Sequence, residues 1–290
     1  MDERAALAAI ADQLPAAGDD AAVVDGQVLT TDMLHEATDF PEGTTRYTAG
    51  WRSVGASLSD VAAMGAAATA AVAVYGAPTF EGEAIAAFIE GARAVCETVD
   101  ARYVGGDLDT HREFTVATAA LGRADAPVRR GGASPGEAVC VTGTLGRSGA
   151  AVRRFAAGDA EAGNDLFRFR PRVAAGRALA PHATAMIDSS DGLARSCHQL
   201  AAASGVGLAL ARPLPIDEAV DAVASDDAER DDLGLFFGED FELVCTVPES
   251  ELGAARAAVP TALTRVGTVT DGGVTLDGEA LPDRGYTHGQ

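Results

Sequence analysis

The chain has 290 residues, room for two domains with ordinary cores. Its formal net charge is −21, and all 22 basic residues are arginine. Such a surface repels nucleic acid and anionic membranes. No apolar stretch is long enough to span a bilayer, and the acidic N-terminal segment does not read as a secretory signal. A cytoplasmic protein is therefore expected. A chain rich in Ala, Asp and Arg and without lysine has the composition of a salt-loving organism's protein, so a lone Asp carries little functional weight. Cys96, Cys140, Cys197 and Cys245 stand apart in apolar contexts, which suits core residues better than zinc ligands or nucleophiles.

Residues 2–14 read as an amphipathic helix. Gly18 to Asp32 reads as a β-hairpin with Asp25-Gly26 as its tight turn. That register sets Val24 against Gln27 and Val23 against Val28, and it carries Asp20 opposite Thr31. Asp19 falls on the other face. Residues 38–43 read as a loop, 45–64 as a helix stopped by Gly65, and 69–75 as a buried strand. Within that helix Arg52 and Asp60 lie two turns apart on roughly one face. Thr79 is expected to cap a helix running to Thr98. A short strand, 102–104, ends in Gly105-Gly106-Asp107, and another covers 114–121.

The Pro/Gly-rich residues 124–136 read as a linker between an N-terminal domain, 1–123, and a C-terminal domain, 137–290. The second half begins with a strand at 138–142 and the Gly-rich run Gly143 to Gly149, then a helix from about Ala150. Residues 155–172 read as polar and mobile, 173–179 as a helix and 183–187 as a strand. Asp188-Ser189-Ser190-Asp191-Gly192 leads into a helix ending near Ala203, then a strand at 206–210. Asp226 to Asp232 reads as a solvated acidic loop. Gly238-Glu239-Asp240 opens a strand over 241–247. A helix at 249–257, a strand at 263–269 and a hairpin at Asp271-Gly272-Gly273 complete the pattern. Alternating strands and helices argue an α/β or α+β fold in both halves.

Asp20, Asp32, Asp107, Asp188 and Asp191 share one context: strand ends among Gly, Ser or Thr, outside acidic runs. Carboxylates and hydroxyls are the ligand set of Mg²⁺ or Ca²⁺. Several such loops in both halves suit a magnesium site that handles phosphates. No Walker lysine is possible, so phosphate charge must be met by metal and by arginine, with Arg129, Arg130 and Arg147 as candidates. No nucleophile stands out, and His198 reads as partly buried structure. Direct transfer to a bound acceptor needs positioning and charge stabilisation instead.

Several motifs then coincide in order: Gly18-Asp19-Asp20-Ala21-Ala22-Val23, Thr30-Thr31-Asp32, Leu58-Ser59-Asp60, Val104-Gly105-Gly106-Asp107, Ile187-Asp188-Ser189-Ser190-Asp191-Gly192-Leu193 and Gly238-Glu239-Asp240-Phe241-Glu242-Leu243. Together they resemble the thiamine-monophosphate kinase family, within the aminoimidazole-ribotide-synthetase-like ATP-binding superfamily. The resemblance implies two mixed-sheet α/β (α+β) domains, a homodimer joined through the N-terminal sheets, and ATP with several Mg²⁺ ions. It implies Asp20, Thr30, Thr31, Asp32, Asp60, Asp107, Asp188 and Asp191 as metal ligands. Gly106, Asp107, Arg130 and Ser190 would contact ATP. Asp39, Glu239 and Tyr286 would line the thiamine phosphate pocket, with Tyr286 facing the thiazolium. The chain departs from the family at Asp39, where His is common, and at Leu108, where Thr is usual. A superfamily synthetase, or a nucleotide- or magnesium-binding protein without turnover, are the competing readings.

Overall fold

A computed structural model describes residues 13–14 and 17–286. Most of the expected N-terminal helix lies outside the described residues. The hairpin forms as read: β1 (Ala22–Val24) pairs with β2 (Gln27–His35), Val24 with Gln27 and Val23 with Val28. Asp25 and Gly26 both take positive φ, 50° and 75°, which is what a primed two-residue turn requires. The ladder ends at Ala22 and Leu29, so the expected Asp20–Thr31 pair does not form.

Three more strands complete the first sheet: β3 (Ala67–Ala77), β4 (Arg102–Thr110) and β5 (Thr115–Arg123), in the order β1-β2-β5-β3-β4. Strand β4 runs straight through Gly105-Gly106-Asp107 instead of ending there. Its neighbour is β3 on one side only, so it forms an edge. A single helical turn, α1 (Glu36–Asp39), replaces part of the expected loop. Helices α2 (Arg46–Ala63) and α3 (Gly82–Glu97) cover one face of the sheet. Thr45 caps α2, its hydroxyl accepting the Thr48 N–H at 3.1 Å. Glu81, not Thr79, precedes α3, and it makes no side-chain cap. On β2 the period of two puts Val28 and Thr30 under the helices and leaves Leu29, Thr31 and Met33 exposed.

The second sheet has seven strands: β6 (Ala138–Thr142), β7 (Ala185–Asp188), β8 (Gly207–Leu210), β9 (Leu243–Val247), β10 (Leu263–Thr270), β11 (Val274–Leu276) and β12 (Glu279–Ala280). Their order is β12-β11-β8-β10-β6-β9-β7. The expected hairpin at Asp271–Gly273 is therefore a crossing: β8 lies between β10 and β11 and pairs with β11 in parallel.

The helices of this half are α4 (Arg147–Ala156), α5 (Ala160–Phe167), α6 (Val173–Leu179), α7 (Leu193–Ser204), α8 (Glu218–Asp221), α9 (Asp227–Leu235) and α10 (Leu252–Ala258). Two expectations fail for nameable reasons. Residues 155–172 are not mobile: Asp159 caps α5, and the Asn164 amide binds the carbonyls of Gly43 and Ala160. The acidic run is a helix, because Asp226 caps α9 by accepting the Glu229 N–H at 2.9 Å, and Asp227 and Glu229 sit in the first turn, where negative charge is favoured.

The two halves share a buried apolar cluster that includes Leu58, Val61 and Met64 of α2 with Val173 and Leu179 of α6. Glycines allow the helices to approach. A Cβ on Gly91 would lie 1.9 Å from the Tyr47 carbonyl oxygen, and one on Gly176 would lie 2.0 Å from that of Ala62. Gly91→Ala is thus expected to cost about 1–3 kcal/mol or more through overpacking. Gly82→Ala, whose Cβ meets nothing within 4 Å, should stay within about 0.5 kcal/mol of the parent. Urea midpoints of the two variants check this.

Candidate functional site

The site is built where α2 meets the hairpin and the end of β7. Asp20 precedes β1, Asp60 sits near the end of α2, and Asp188 ends β7. Each offers a carboxylate oxygen, and these oxygens all lie within 4.8 Å of one another. Oxygens on opposite sides of one Mg²⁺ are about 4.2 Å apart, so a closing of a few tenths of an ångström would bring all three onto one ion. Hydroxyls fix the carboxylates. Thr30 Oγ1 donates to Asp60 Oδ2 (2.5 Å), Ser59 Oγ to Asp188 Oδ2 (2.7 Å), and Ser57 Oγ to the adjacent Asp32 (2.6 Å). Arg130 forks onto Asp20, Nη2 at 2.9 Å and Nε at 3.3 Å. The buried Ser189 hydroxyl, beside Asp188, has no hydrogen-bond partner among the described residues.

The electrostatics call for a cation. Burial, then the neighbouring Asp32, Asp188 and Asp20, hold Asp60 well above the usual carboxylate range. Burial, then Asp20, pushes Asp188 up to about 8. Burial also raises Asp32, against its hydrogen bond from Ser57. Hard oxygens, like charges and one spare hydroxyl fit Mg²⁺.

Beside the carboxylates opens a cavity of about 550 Å³. Asp32, Asp39, Ser190, Asp191, Glu239 and Tyr286 line it, from both halves of the chain. Asp39 is buried and fully engaged: it accepts the His35 N–H (2.7 Å), the Thr38 hydroxyl (2.8 Å) and the Tyr286 phenol (3.2 Å). The Tyr286 N–H in turn donates to the Asp191 carbonyl (3.1 Å). Gly238 permits the opposite wall, since a Cβ there would lie 2.5 Å from the Ser190 carbonyl oxygen and φ is +85°. That approach lets the Glu239 N–H reach the same oxygen at 2.6 Å.

Not every expected residue gathers here. Thr31 lines the cavity, but its hydroxyl donates to the Thr118 carbonyl (2.8 Å) instead of meeting the carboxylate cluster. Asp107 pairs in register with Val74, three strands from β2, about 14 Å across the sheet. Gly106 and Asp107 line a different, mostly apolar cavity of about 330 Å³ with Tyr75, Ile85, Phe88 and Tyr103. Leu108 borders it too, adding apolar surface where the resemblance leads one to expect a threonine hydroxyl. Asp19 is no ligand: it binds Arg129 (2.5 Å) and the Arg130 N–H (3.0 Å). His198 binds the Leu281 carbonyl (2.9 Å), a structural role.

The chain matches two family descriptions, "AIR synthase related protein, N-terminal domain" over residues 18–124 and "AIR synthase related protein, C-terminal domain" over residues 134–278. Thiamine-monophosphate kinase of Halobacterium salinarum is 63% identical, covering 99% of this chain and 100% of that protein. The enzyme of the same name from Methanospirillum hungatei is 41% identical over 90% of this chain and 88% of its own length. The chain belongs to the thiamine-monophosphate kinase family. A structure described as AaThiL complexed with AMPPCP and TMP superposes with a TM-score of 0.91 at 26% identity, over 99% of this chain and 97% of that one. Both halves thus carry the mixed-sheet α+β fold of that family.

The sequence had not revealed Arg52 as a site residue. Its side chain is almost fully buried, yet its guanidinium holds the Glu239 carboxylate (2.7 Å) and the Phe167 carbonyl (2.8 Å) and stacks 3.6 Å from the Phe167 ring centre. An arginine in the interior of an Ala/Ser-rich helix was the available signal. Ser57 and Ser59 were also passed over, although they alternate toward Asp32 and Asp188. All four cysteines are free and buried, and burial pushes the Cys96 and Cys197 thiols up to about 12. Burial and a raised pKa make these thiols poor nucleophiles at neutral pH.

A carboxyl pKa raised by folding favours the folded state only while the group is protonated. Stability from this cluster therefore falls as pH rises from about 4 towards 8. In EDTA the melting temperature is expected to drop between about pH 6 and 8.5. Mg²⁺ should raise it more at the higher pH, and Asp188→Asn should weaken both responses. Thermal melts in high KCl at the two pH values check this.

Proposed function

We propose that this chain transfers the γ-phosphoryl group of ATP to thiamine monophosphate, giving thiamine diphosphate and ADP. The observation that carries the reading is the single cavity in which the expected substrate residues, Asp39, Glu239 and Tyr286, meet Asp32 and Asp191 beside the carboxylate cluster. Identity of 63% along the whole chain to a protein named for this activity supports it.

Asp20, Asp60 and Asp188 would hold magnesium, with Thr30, Asp32 and Asp191 close by. Bound there, the metal supplies charge neutralisation for the phosphates. The chain's own groups position and exclude. Arg130 adds fixed positive charge at Asp20. Tyr286, braced by Asp39, offers an aromatic face to the cationic thiazolium. Arg52 locks Glu239 into the cavity wall. The acceptor is a phosphate oxygen that already carries negative charge at neutral pH, since the second phosphate pKa is about 6. A general base is therefore unnecessary, and in-line transfer needs no protein nucleophile.

Gly106, Asp107 and Ser190 are assigned to ATP. The apolar cavity beside Gly106 suits a nucleobase. A homodimer accounts for the distance between Asp107 and the cluster within one subunit. The uncovered sheet face carries Leu29, Met33, Val72, Val74 and Val104, each 39–55% exposed, a patch that monomers seldom leave open. Asp107 shares that face through its register with Val74. A second copy packed there would carry its own Asp107 towards the neighbouring cluster.

An assay in high KCl with Mg²⁺, ATP and thiamine monophosphate should yield thiamine diphosphate, read by chromatography; no product would sink the proposal. Asp188→Asn and Asp191→Asn should each cut turnover at least about tenfold, whereas Asp227→Asn, on exposed α9, should change it less than about twofold. Mixing inactive Asp107→Asn and Asp188→Asn subunits should restore about a quarter of wild-type activity. Half the dimers would be mixed, each with one intact site. No recovery would place Asp107 in the site of its own subunit.

A further inference from the structure

A third cavity, of about 230 Å³, lies behind the wall of the larger, substrate-side cavity of about 550 Å³. The segment Glu239 to Glu242 separates them. Glu239 and Phe241 line the larger cavity, while Asp240 and Glu242 line the smaller one. Phe169, on the smaller side, stacks on Phe241 with ring centres 4.2 Å apart.

Four arginines line this space: Arg147, Arg168, Arg170 and Arg172. In a chain of net charge −21 such a concentration is out of proportion. The acids that share the cavity already have partners, and one of them, Glu242, neutralises Arg172. Asp240 accepts the Gly146 and Ser148 N–H groups (2.5 and 3.0 Å). Glu242 accepts the Thr142 hydroxyl (2.6 Å) and Arg172 Nε (2.7 Å). Asp217 accepts the Thr144 hydroxyl (2.7 Å) and the Ala219 N–H (2.9 Å). Arg168 pairs with Asp165, which lies outside the cavity. Among the described residues, Arg147 and Arg170 hydrogen-bond only main-chain carbonyls, those of Asp165 (3.3 Å) and Thr98 (3.4 Å). Asp240 takes the Gly146 and Ser148 N–H groups at the start of α4, and the arginine side chains are the charged donors of this cavity.

Guanidinium forks match the paired oxygens of phosphate. At about 30 Å³ per water, the space equals some seven or eight waters, enough for a phosphate and a small organic group. We propose that this cavity binds a phosphate-class oxyanion, either inorganic phosphate or the phosphate of a small ester, and that its occupancy alters the neighbouring substrate cavity through Glu239 to Glu242. The coupling rests on thiamine monophosphate occupying the larger cavity; the binding does not. An anion seated among these arginines would also draw on Arg172, which holds Glu242, and so would bear on the backbone that presents Glu239 and Phe241.

The test begins with inorganic phosphate titrated into the full chain in high KCl and EDTA, followed by ³¹P NMR or calorimetry. One saturable site is expected. The double variant Arg147→Gln/Arg170→Gln should weaken it at least about tenfold, with the melting temperature checked to show that the variant folds. Asp188→Asn should leave the binding in place. No saturable binding, or equal binding by the double variant, overturns the site. Loss of binding in Asp188→Asn alone also overturns it, since the phosphate would then sit at the carboxylate cluster. Competition by glycerol 2-phosphate assigns the pocket to esters and its failure to inorganic phosphate, and either result supports the class. Turnover tests the coupling: saturating phosphate should shift KM for thiamine monophosphate at least about twofold in the parent and not in the double variant. An unchanged KM in a phosphate-binding parent overturns the coupling. The titration needs no turnover, so failure of the kinase reading would leave its result standing.

Discussion

Three carboxylates from three separate elements cannot all stay ionised in a few ångströms of partly buried space without a cation. The organisation of the molecule follows from that conflict. Asp20 comes from the hairpin, Asp60 from α2 and Asp188 from β7, so the cluster joins the two halves of the chain. Protons or a divalent ion must relieve the repulsion. Hydroxyls from Thr30 and Ser59 set the oxygens in place beforehand. Pre-set geometry matters for phosphoryl transfer, where little covalent work is asked of the protein and most of the effect is alignment and field.

The segment from Gly238 to Glu242 is the second organising feature. Glu239 and Phe241 hold positive φ, 58° and 54°, conformations that cost a non-glycine residue energy. Fixed partners surround the segment: Arg52 on Glu239, two backbone N–H groups on Asp240, and Arg172 with Thr142 on Glu242. Each acidic side chain is thus tied to a different element, and the strained backbone has little freedom to relax. A thin partition held this way presents alternate residues to opposite sides.

Much of this was legible in the sequence because it depends on local rules. Asp25-Gly26 set the hairpin and its register, and strand-end Asp residues among Gly and Ser marked Asp20 and Asp188 of the cluster, whereas Asp60, inside a helix, was marked as a ligand only by the family motif. Other features were not legible because they depend on distant partners. Residues 155–172 look polar, but Asn164 finds Gly43 across the fold. Asp226 to Asp232 look like solvated surface until the cap on α9 is seen. Arg52 reads as an interruption until Glu239, 187 residues later, supplies its charge partner. The β10–β11 connection looks like a hairpin because nothing near Gly272 shows that β8 will lie between the strands. Asp107 fits the motif, yet the sheet order places it far from the other carboxylates of its own chain.

Helix α2 carries Arg52 towards the substrate wall and Asp60 to the carboxylate cluster. Eight residues separate them, a rise of about 12 Å along a rigid rod. The helix therefore works as a ruler between the place where an organic substrate is held and the place where an ion is held. Its length can change only in steps of one residue, each adding about 1.5 Å and turning the end by about 100°. A single insertion would swing Asp60 off the cluster altogether. The spacing of the two binding regions is thus quantised by the helix, so it cannot be tuned gradually by insertion or deletion within α2.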